Sequence, residues 1–428
     1  MKRHGNLWER IISYDNLYLA LKNASRGKKR KAGVKKVLRN PDKAVHKLHD
    51  ILVSGFKNSK YRHKIVYEPK QRLIYILPFF PDRIVHHAVI NIVEDIWDNL
   101  FISDSYSCRK DKGQHAGSKR CMDFVRRYKY CLKCDISKFY PSINHDILKQ
   151  ILRKKIKDEK LLSLLDTIID SIEGDKNVPI GNYLSQWFGN LYLNELDMFV
   201  KHFLHCKAYI RYCDDFVFFS NSKEELRNYL NKIIPVLNNL KLVLSKKEIF
   251  PVSQGIDFLG YRHFTNYILV RKSTAKRIRK RMSHIEERIL NGKLSKERAR
   301  SQIASAEGWL KHANSYNFKN TLQLDKLKRI TLKRFSDFCK ERNLEGKKIP
   351  ISKVCSKEVE ILAYRITKTK YSDNCAQIQF KYKDALYITF TSSKVLIRQL
   401  IQYKEELPFV AFIKNGKSKD GNSYYTFS

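Results

Sequence analysis

The chain has 428 residues, 43% of them hydrophobic and 12% aromatic, enough to bury sizeable cores in two or three domains. Lys and Arg number 84 against 43 Asp and Glu, a net charge of +41, and self-repulsion on that scale points to a polyanionic partner: nucleic acid, bound in a salt-sensitive way. No apolar run approaches the ~20 residues of a membrane span, and the start Met1-Lys-Arg-His-Gly-Asn-Leu-Trp8 holds no apolar signal core, so a cytoplasmic protein with no membrane partner is expected.

Residues 6–23 space Leu7, Ile11, Ile12, Leu17, Leu19 and Leu21 as an amphipathic helix pair would. Residues 25–39 are a basic run with Lys28, Lys29, Arg30, Lys31, Lys35 and Lys36, either a solvated loop or an RNA-contacting segment. Tyr67-Glu-Pro-Lys-Gln-Arg-Leu-Ile-Tyr-Ile-Leu-Pro78 reads as two strands around a short turn bearing Lys70 and Arg72. Phe79-Phe-Pro-Asp-Arg-Ile-Val-His-His87 leads into a helix over 86–100, with apolar residues at Val89, Ile90, Ile92, Val93 and Ile96; His86 and His87 read as helix-face residues rather than ligands. Ser105-Tyr-Ser-Cys-Arg109 follows.

Tyr130-Cys-Leu-Lys-Cys-Asp-Ile-Ser-Lys-Phe-Tyr140 is a strand-like run that delivers Asp135. Its Cys131 and Cys134 have no second pair at zinc spacing; with nine cysteines scattered along the chain, free thiols in a reducing compartment are expected. Val178-Pro-Ile-Gly-Asn-Tyr-Leu-Ser-Gln-Trp187 is a turn running into an apolar helix, where Gly181 permits close backbone approach. Ala208-Tyr-Ile-Arg-Tyr-Cys-Asp-Asp-Phe-Val-Phe-Phe-Ser220 places two aromatic-rich strands around Asp214 and Asp215, a hairpin with adjacent carboxylates at its tip. Such a pair is either a solvated turn or a site whose mutual repulsion is relieved by cations. Two Mg²⁺ ions suit it, since Mg²⁺ binds a few carboxylates plus substrate phosphates, and Asp135 on a neighbouring strand supplies the third carboxylate. Residues 240–247 and Ile249 to Tyr261, with Gln254-Gly-Ile-Asp-Phe-Leu-Gly-Tyr261, close this region, and Lys246 and Lys247 fall near the phosphates.

Residues 271–291 are strongly basic, with Lys276, Arg277, Arg279, Lys280 and Arg281, and residues 301–338, including Gly308-Trp-Leu-Lys-His-Ala-Asn-Ser315, have helical periodicity. A solvated lysine-rich helix and a helical grip on a duplex backbone both fit these stretches. Near Asn343 the character changes to short alternating runs at 359–364, 376–382, 386–390, 409–413 and 424–427, with a helical stretch, Ser392 to Tyr403, between the third and fourth. Five strands so arranged suggest a small barrel of the oligonucleotide-binding type. Interleaved Tyr, Phe and Lys suit base stacking, and a purely structural barrel reads from the same residues.

The order of these blocks resembles the reverse transcriptases: a first aspartate block, a Gly/Ser-Gln block, a Tyr-x-Asp-Asp box and a Phe-Leu-Gly turn. Over residues 1 to about 335 the resemblance is to bacterial enzymes of diversity-generating retroelements and of defence-associated lineages, carried by Pro179–Gln186 and Phe79–His87. It implies an α+β right hand: N-terminal helices and fingers over 1–125, palm over 126–265, helical thumb over 266–342, and the β-rich module over 343–428. It implies Asp135, Asp214 and Asp215 as catalytic residues, joined by Ile136 in the metal set for two Mg²⁺ ions. Lys70, Arg72, Tyr140, Ile180, Gly181, Gln186 and Lys246 would meet the nucleotide, with Tyr140 under the sugar excluding a ribose 2′-hydroxyl. Arg83, Arg109, Lys276, Arg277, Arg279, Lys280 and Trp309 would meet nucleic acid. The chain departs from the family where Arg-Pro-Leu is Arg72-Leu73-Ile74, and where a Gln before the Gly is Ile180, which removes an amide near the templating pair.

The implied function is RNA-directed DNA synthesis from dNTPs on a structured non-coding RNA, yielding cDNA, in antiphage defence; an accessory protein or self-association would fit beside it. The same chemistry would serve mutagenic retrohoming in a diversity-generating retroelement. A non-catalytic RNA-binding protein with a vestigial palm is the third reading, against which the three intact carboxylates argue. Neighbouring genes would separate the first two.

Overall fold

The computed structural model describes residues 3–67, 71–331, 344–369, 372–417 and 423–428. Lys70 lies outside the described residues, as do 332–343. The chain divides into two compact units, residues 1–331 and 332–428. Among the described residues, no helix is long and apolar enough to cross a membrane.

The first unit is mixed helix and strand. Helices α1 (Trp8–Ile12) and α2 (Tyr14–Ser25) form the expected N-terminal pair. The basic run is not a bare loop: it contains α3 (Ala32–Leu38), held by buried Val34. Helix α4 (Pro41–Val53) starts where Asn40 accepts the Lys43 N–H and Pro41 fills the first turn. Strands β1 (Arg62–Val66) and β2 (Arg72–Ile76) pair antiparallel, so Arg72 opens the second strand. Helices α5 (Ile84–Asp98) and α6 (Gln114–Arg127) precede β3 (Tyr130–Ile136). Asp158 caps α9 (Glu159–Ile169) and also accepts the Leu7 and Trp8 N–H groups, which fastens the N-terminus to the middle of the chain; the short α7 (Phe139–Ser142) and α8 (His145–Arg153) lie between β3 and α9.

Helix α10 (Tyr183–Met198) runs through the core, where Trp97, Trp187 and Phe188 pack together. Strands β4 (Tyr209–Tyr212) and β5 (Asp215–Ser220) form the expected hairpin, followed by α11 (Lys223–Asn239) and β6 (Leu244–Pro251). The central sheet is antiparallel in the order β4-β5-β3-β6. A three-stranded sheet, β7 (Ile256–Phe258), β8 (Tyr261–His263) and β9 (Ile268–Val270), leads to helices α12 (Lys272–Ser283), α13 (Ile285–Leu290), α14 (Lys296–Lys311), α15 (Tyr316–Thr321) and α16 (Leu324–Thr331). These helices share their own apolar core, including Ile278, Ile285, Ile303 and Leu310.

The second unit is β-rich, as expected, with β10 (Lys347–Lys348), β11 (Glu358–Thr369), β12 (Ser372–Tyr382), β13 (Ala385–Thr391), the helix Lys394–Gln402, β14 (Phe409–Lys417) and β15 (Ser423–Phe427). The strands pair in the open order β10-β13-β12-β11-β14-β15, and among the described residues the two edge strands do not meet. The expected small β-rich module is open along this order, its core formed by Ile361, Ile378, Phe380 and Ile413 against Leu396, Ile397 and Leu400 of the helix.

Candidate active site

The hairpin turn is two residues long: Tyr212 pairs with Asp215, leaving Cys213 and Asp214 at the tip. Cys213 adopts φ +55. On the other side of β5, Asp135 stands opposite Asp215, and β3 places Asp135 opposite Lys246 of β6. A register irregularity follows Asp135, so Ile136 pairs with Leu244 and is buried.

Burial is the main cause that raises the Asp214 and Asp215 carboxyls, Asp215 to about 6; Asp135 adds repulsion to both, while Lys133 and Arg271 pull Asp215 back down. Lys133 Nζ lies 3.6 Å from Asp215 Oδ2 and donates to the Asp257 carbonyl. Ser245 Oγ is 2.9 Å from Asp135 Oδ2. Asp215 Oδ1 is buried without a hydrogen-bond partner. Among the described residues, no three His, Cys, Asp or Glu side chains converge tightly enough to hold an ion by themselves. The donor set nevertheless fits Mg²⁺, which takes few protein carboxylates and completes its shell with phosphate and water: two carboxylates share one register, a third sits in the adjoining turn, and a buried oxygen lacks a partner.

Beside the carboxylates opens a cleft of about 670 Å³, lined among others by Arg72, Gln114, Tyr212, Asp215, Arg271, Lys276, Arg277, Lys280 and Trp309. Its floor is the Phe258-Leu259-Gly260 turn. A Cβ on Gly260, at φ +80, would fall 2.6 Å from the Trp309 ring, and Gln114 Nε2 donates to the Leu259 carbonyl at 2.5 Å. Arg279 turns instead towards Phe318, 5.5 Å from its ring centre.

Tyr140 is half-buried, its hydroxyl 3.5 Å from Cys213 Sγ, and its ring contacts the site where a Cβ on Gly189 would stand. Gly181, at φ +123, has β2 as its close neighbour: a Cβ there would overlap the Tyr75 carbonyl oxygen. Tyr75 N–H donates to the Ile180 carbonyl at 2.8 Å, and Arg83 Nη2 reaches the Gly181 carbonyl at 3.5 Å. Gln186 and Lys246 are exposed. His86 is buried and held neutral, its pKa lowered to about 3 mainly by burial, while His87 stacks on Tyr183 at 4.5 Å.

Arg109 is a correction. Its Nε and Nη2 bind the Asp98 carboxylate at 2.6 and 3.1 Å, and its remaining N–H groups reach the Asp98, Ile102 and Ser105 carbonyls. All five donors are spent inside the protein, so Arg109 braces the loop after α5 and has none left for template. Lys133, Ser245, Arg271, Gln114 and Arg211 were not anticipated. Lys133 lies two residues before Asp135, on the same strand face, and an arginine inside the apolar run 208–212 demands a buried partner. Those two signals were readable; Arg271 was marked only as the start of the basic stretch 271–291, not as a neighbour of the carboxylates.

Residues 59–263 match the family described as reverse transcriptase (RNA-dependent DNA polymerase), and residues 345–428 match a domain of unknown function, DUF8468. Protein YkfC of Escherichia coli is similar, 26% identical over 277 aligned positions that cover 54% of this chain and 69% of that one. The group II intron-encoded protein LtrA of Lactococcus lactis is 28% identical over 132 positions, covering 29% of this chain and 22% of its own. Nuclear intron maturase 1, mitochondrial, of Arabidopsis thaliana is 28% identical over 90 positions, 21% of this chain and 13% of its own, so the chain spans only a small part of these intron proteins. The matched family segment holds both aspartate blocks and the Phe-Leu-Gly turn, so residues 59–263 form a reverse transcriptase (RNA-dependent DNA polymerase) domain.

Proposed function

We propose that the chain copies a structured RNA into cDNA by two-Mg²⁺ nucleotidyl transfer, in the cytoplasm of a bacterium and in the service of antiphage defence. The observation that supports it most is the register of Asp135 against Asp215 beside a basic cleft that Arg72 and Arg271 enter. Asp135, Asp214 and Asp215 would hold the ions. Bound there, Mg²⁺ would neutralise triphosphate charge and make the primer 3′-hydroxyl a better nucleophile. Arg72 and Arg271 would hold phosphate oxygens, and Lys276, Arg277 and Lys280 would grip the duplex backbone as it leaves. Lys133, 3.6 Å from Asp215 Oδ2, favours the ionised carboxylate against the effect of burial. Primer extension by the purified chain on an RNA template with Mg²⁺ and dNTPs tests this reading, and its absence under conditions where the chain binds that hybrid would overturn it.

Tyr140 supports a steric gate, since its ring sits beside the turn that presents Asp214. Tyr140→Ala is expected to raise ribonucleotide use relative to deoxynucleotide use by about 10-fold or more, a change in van der Waals fit at one sugar oxygen. An unchanged ratio in competition assays assigns Tyr140 to packing alone.

The defence setting rests on the Tyr212-Cys-Asp-Asp215 box and the basic C-terminal module, since Pro179–Gln186 and Phe79–His87 resemble diversity-generating and defence-associated enzymes alike. Sequencing of cDNA bound to the protein in cells, with and without phage, is expected to return one dominant RNA source copied faithfully. Heavy substitution opposite template adenines, carried into a neighbouring gene, would replace this reading with mutagenic retrohoming, for which Ile180 removes a selective amide.

A further inference from the structure

The C-terminal sheet has two unlike faces. Alternate cross-strand rows, Ile378 with Tyr364 and Thr389, and Phe380 with Ile361 and Tyr387, point to the core and the helix Lys394–Gln402. The row between them, Ala363, Gln379 and buried Ile388, and the two flanking rows point the other way: Gln377 stands between Arg365 and Phe390, and Lys381 between Glu360 and Leu386. On this second face Phe390 is 41% exposed, although a ring that size is ordinarily buried. Lys348 Nζ lies 5.8 Å from its ring centre. Residues 345–428 carry 15 Lys and Arg against 8 Asp and Glu, a net +7.

We infer that this face binds single-stranded nucleic acid, with Phe390 as the stacking platform and Lys348 and Arg365 as backbone contacts. An exposed ring flanked by cations is the combination that holds unpaired strands, because every base has a π-face and every link a phosphate. The amide of Gln377, half-buried beside the ring, suits base edges better than an apolar protein surface does, while Gln379 Nε2 donates to the Glu345 carbonyl at 2.6 Å. Glu358 and Glu360 set the limit of the site, on the side of the sheet towards β14. The identity of the strand, template RNA or emerging cDNA, rests on the reverse transcriptase reading; the binding chemistry does not.

The test uses the full chain with its cleft filled by an RNA–DNA primer–template hybrid, and follows the anisotropy of a labelled oligouridylate of about eight nucleotides. Wild type is expected to bind it, and Phe390→Ala to weaken it about tenfold. Lys348→Ala should flatten the salt dependence by about 0.7 in log–log slope, the value for one phosphate on a single strand. Phe390→Tyr should bind as wild type does, which separates a lost ring from a lost fold, and all three variants should extend a short primer normally. The inference is overturned if Phe390→Ala binds with unchanged affinity, or if photocrosslinks from the oligonucleotide fall only within residues 1–331. It is overturned equally if Phe390→Ala disrupts self-association or a protein contact and leaves oligonucleotide binding intact. A wild-type chain that binds the oligonucleotide but extends no primer upholds this site and removes the reverse transcriptase reading instead.

Discussion

Asp215→Asn is expected to reduce RNA-templated DNA synthesis on the order of 10³-fold or more, without lowering the melting temperature. The two effects have one cause. Asp215 is an ionisable group with a quarter of its side chain exposed, one buried oxygen lacking any partner, and burial pushing its carboxyl up. Its charge is held against the preference of the fold, which is how active sites store binding capacity at the expense of stability. Asparagine keeps the shape and removes the charge, so the melting point should hold or rise while the cation site is lost. Asp214→Ala should lose activity similarly, and the double variant little more, since residues acting on one transition state do not add. RNA binding should persist, because the basic side chains of the cleft are untouched. Primer extension alongside thermal melting and filter binding decides the matter. Full extension by the double variant, or a melting point that falls together with activity, would remove Asp215 from the catalytic set.

Arg211→Met is expected to cost about 3–5 kcal/mol of stability, the usual penalty for stranding a buried charge, and to lower the melting temperature by roughly 10 °C. Arg211 is fully buried and pairs with fully buried Asp197, bonding through Nε and Nη2, while Tyr209 donates to the same carboxylate. Its Nη1 reaches Asn190 Oδ1 at 3.3 Å and the Cys213 carbonyl at 3.1 Å. The last bond matters for function, because Cys213 immediately precedes Asp214 in the tight turn. Adding Asp197→Leu should restore much of the stability, as replacing both members of a buried pair by apolar residues often does. It should not restore synthesis, since the Cys213 carbonyl remains unheld. Recovery of activity together with stability would assign Arg211 to the core alone.

Local pattern explains what could be read in advance. The Asp214–Asp215 hairpin, the strand carrying Asp135, and the strands and helix of the C-terminal unit all follow from alternation and turn chemistry within about ten residues, and each lies where its residues indicate. Non-local pairing explains what could not. Arg109 had every mark of a nucleic-acid contact until Asp98 and three carbonyls took all its donors. Gly181 was read as permitting close backbone approach, and the atom that forbids a side chain there belongs to Tyr75, more than a hundred residues earlier. Whether five strands close into a barrel depends on their edges, and no single strand carries that information. The basic residues of the thumb segment were legible as a group, but which face the cleft, Lys276, Arg277 and Lys280, and which turn away, Arg279, depends on how the helices rotate against their core.

The Phe258-Leu259-Gly260 turn has a further mechanical meaning. A polymerase must loosen and retake its product after each added nucleotide, and the advance has to stay in step with the chemistry. Trp309 of α14 rests on Gly260, while the Asp257 carbonyl, three residues earlier, receives the Lys133 ammonium that neighbours Asp215. One short turn thus touches both Trp309 of α14 and, through Lys133, the Asp215 carboxylate. On the proposed function, a tilt of those helices with the width of a product would bear on the same few backbone atoms that hold Lys133 beside Asp215, and the turn would act as a gear between translocation and bond formation.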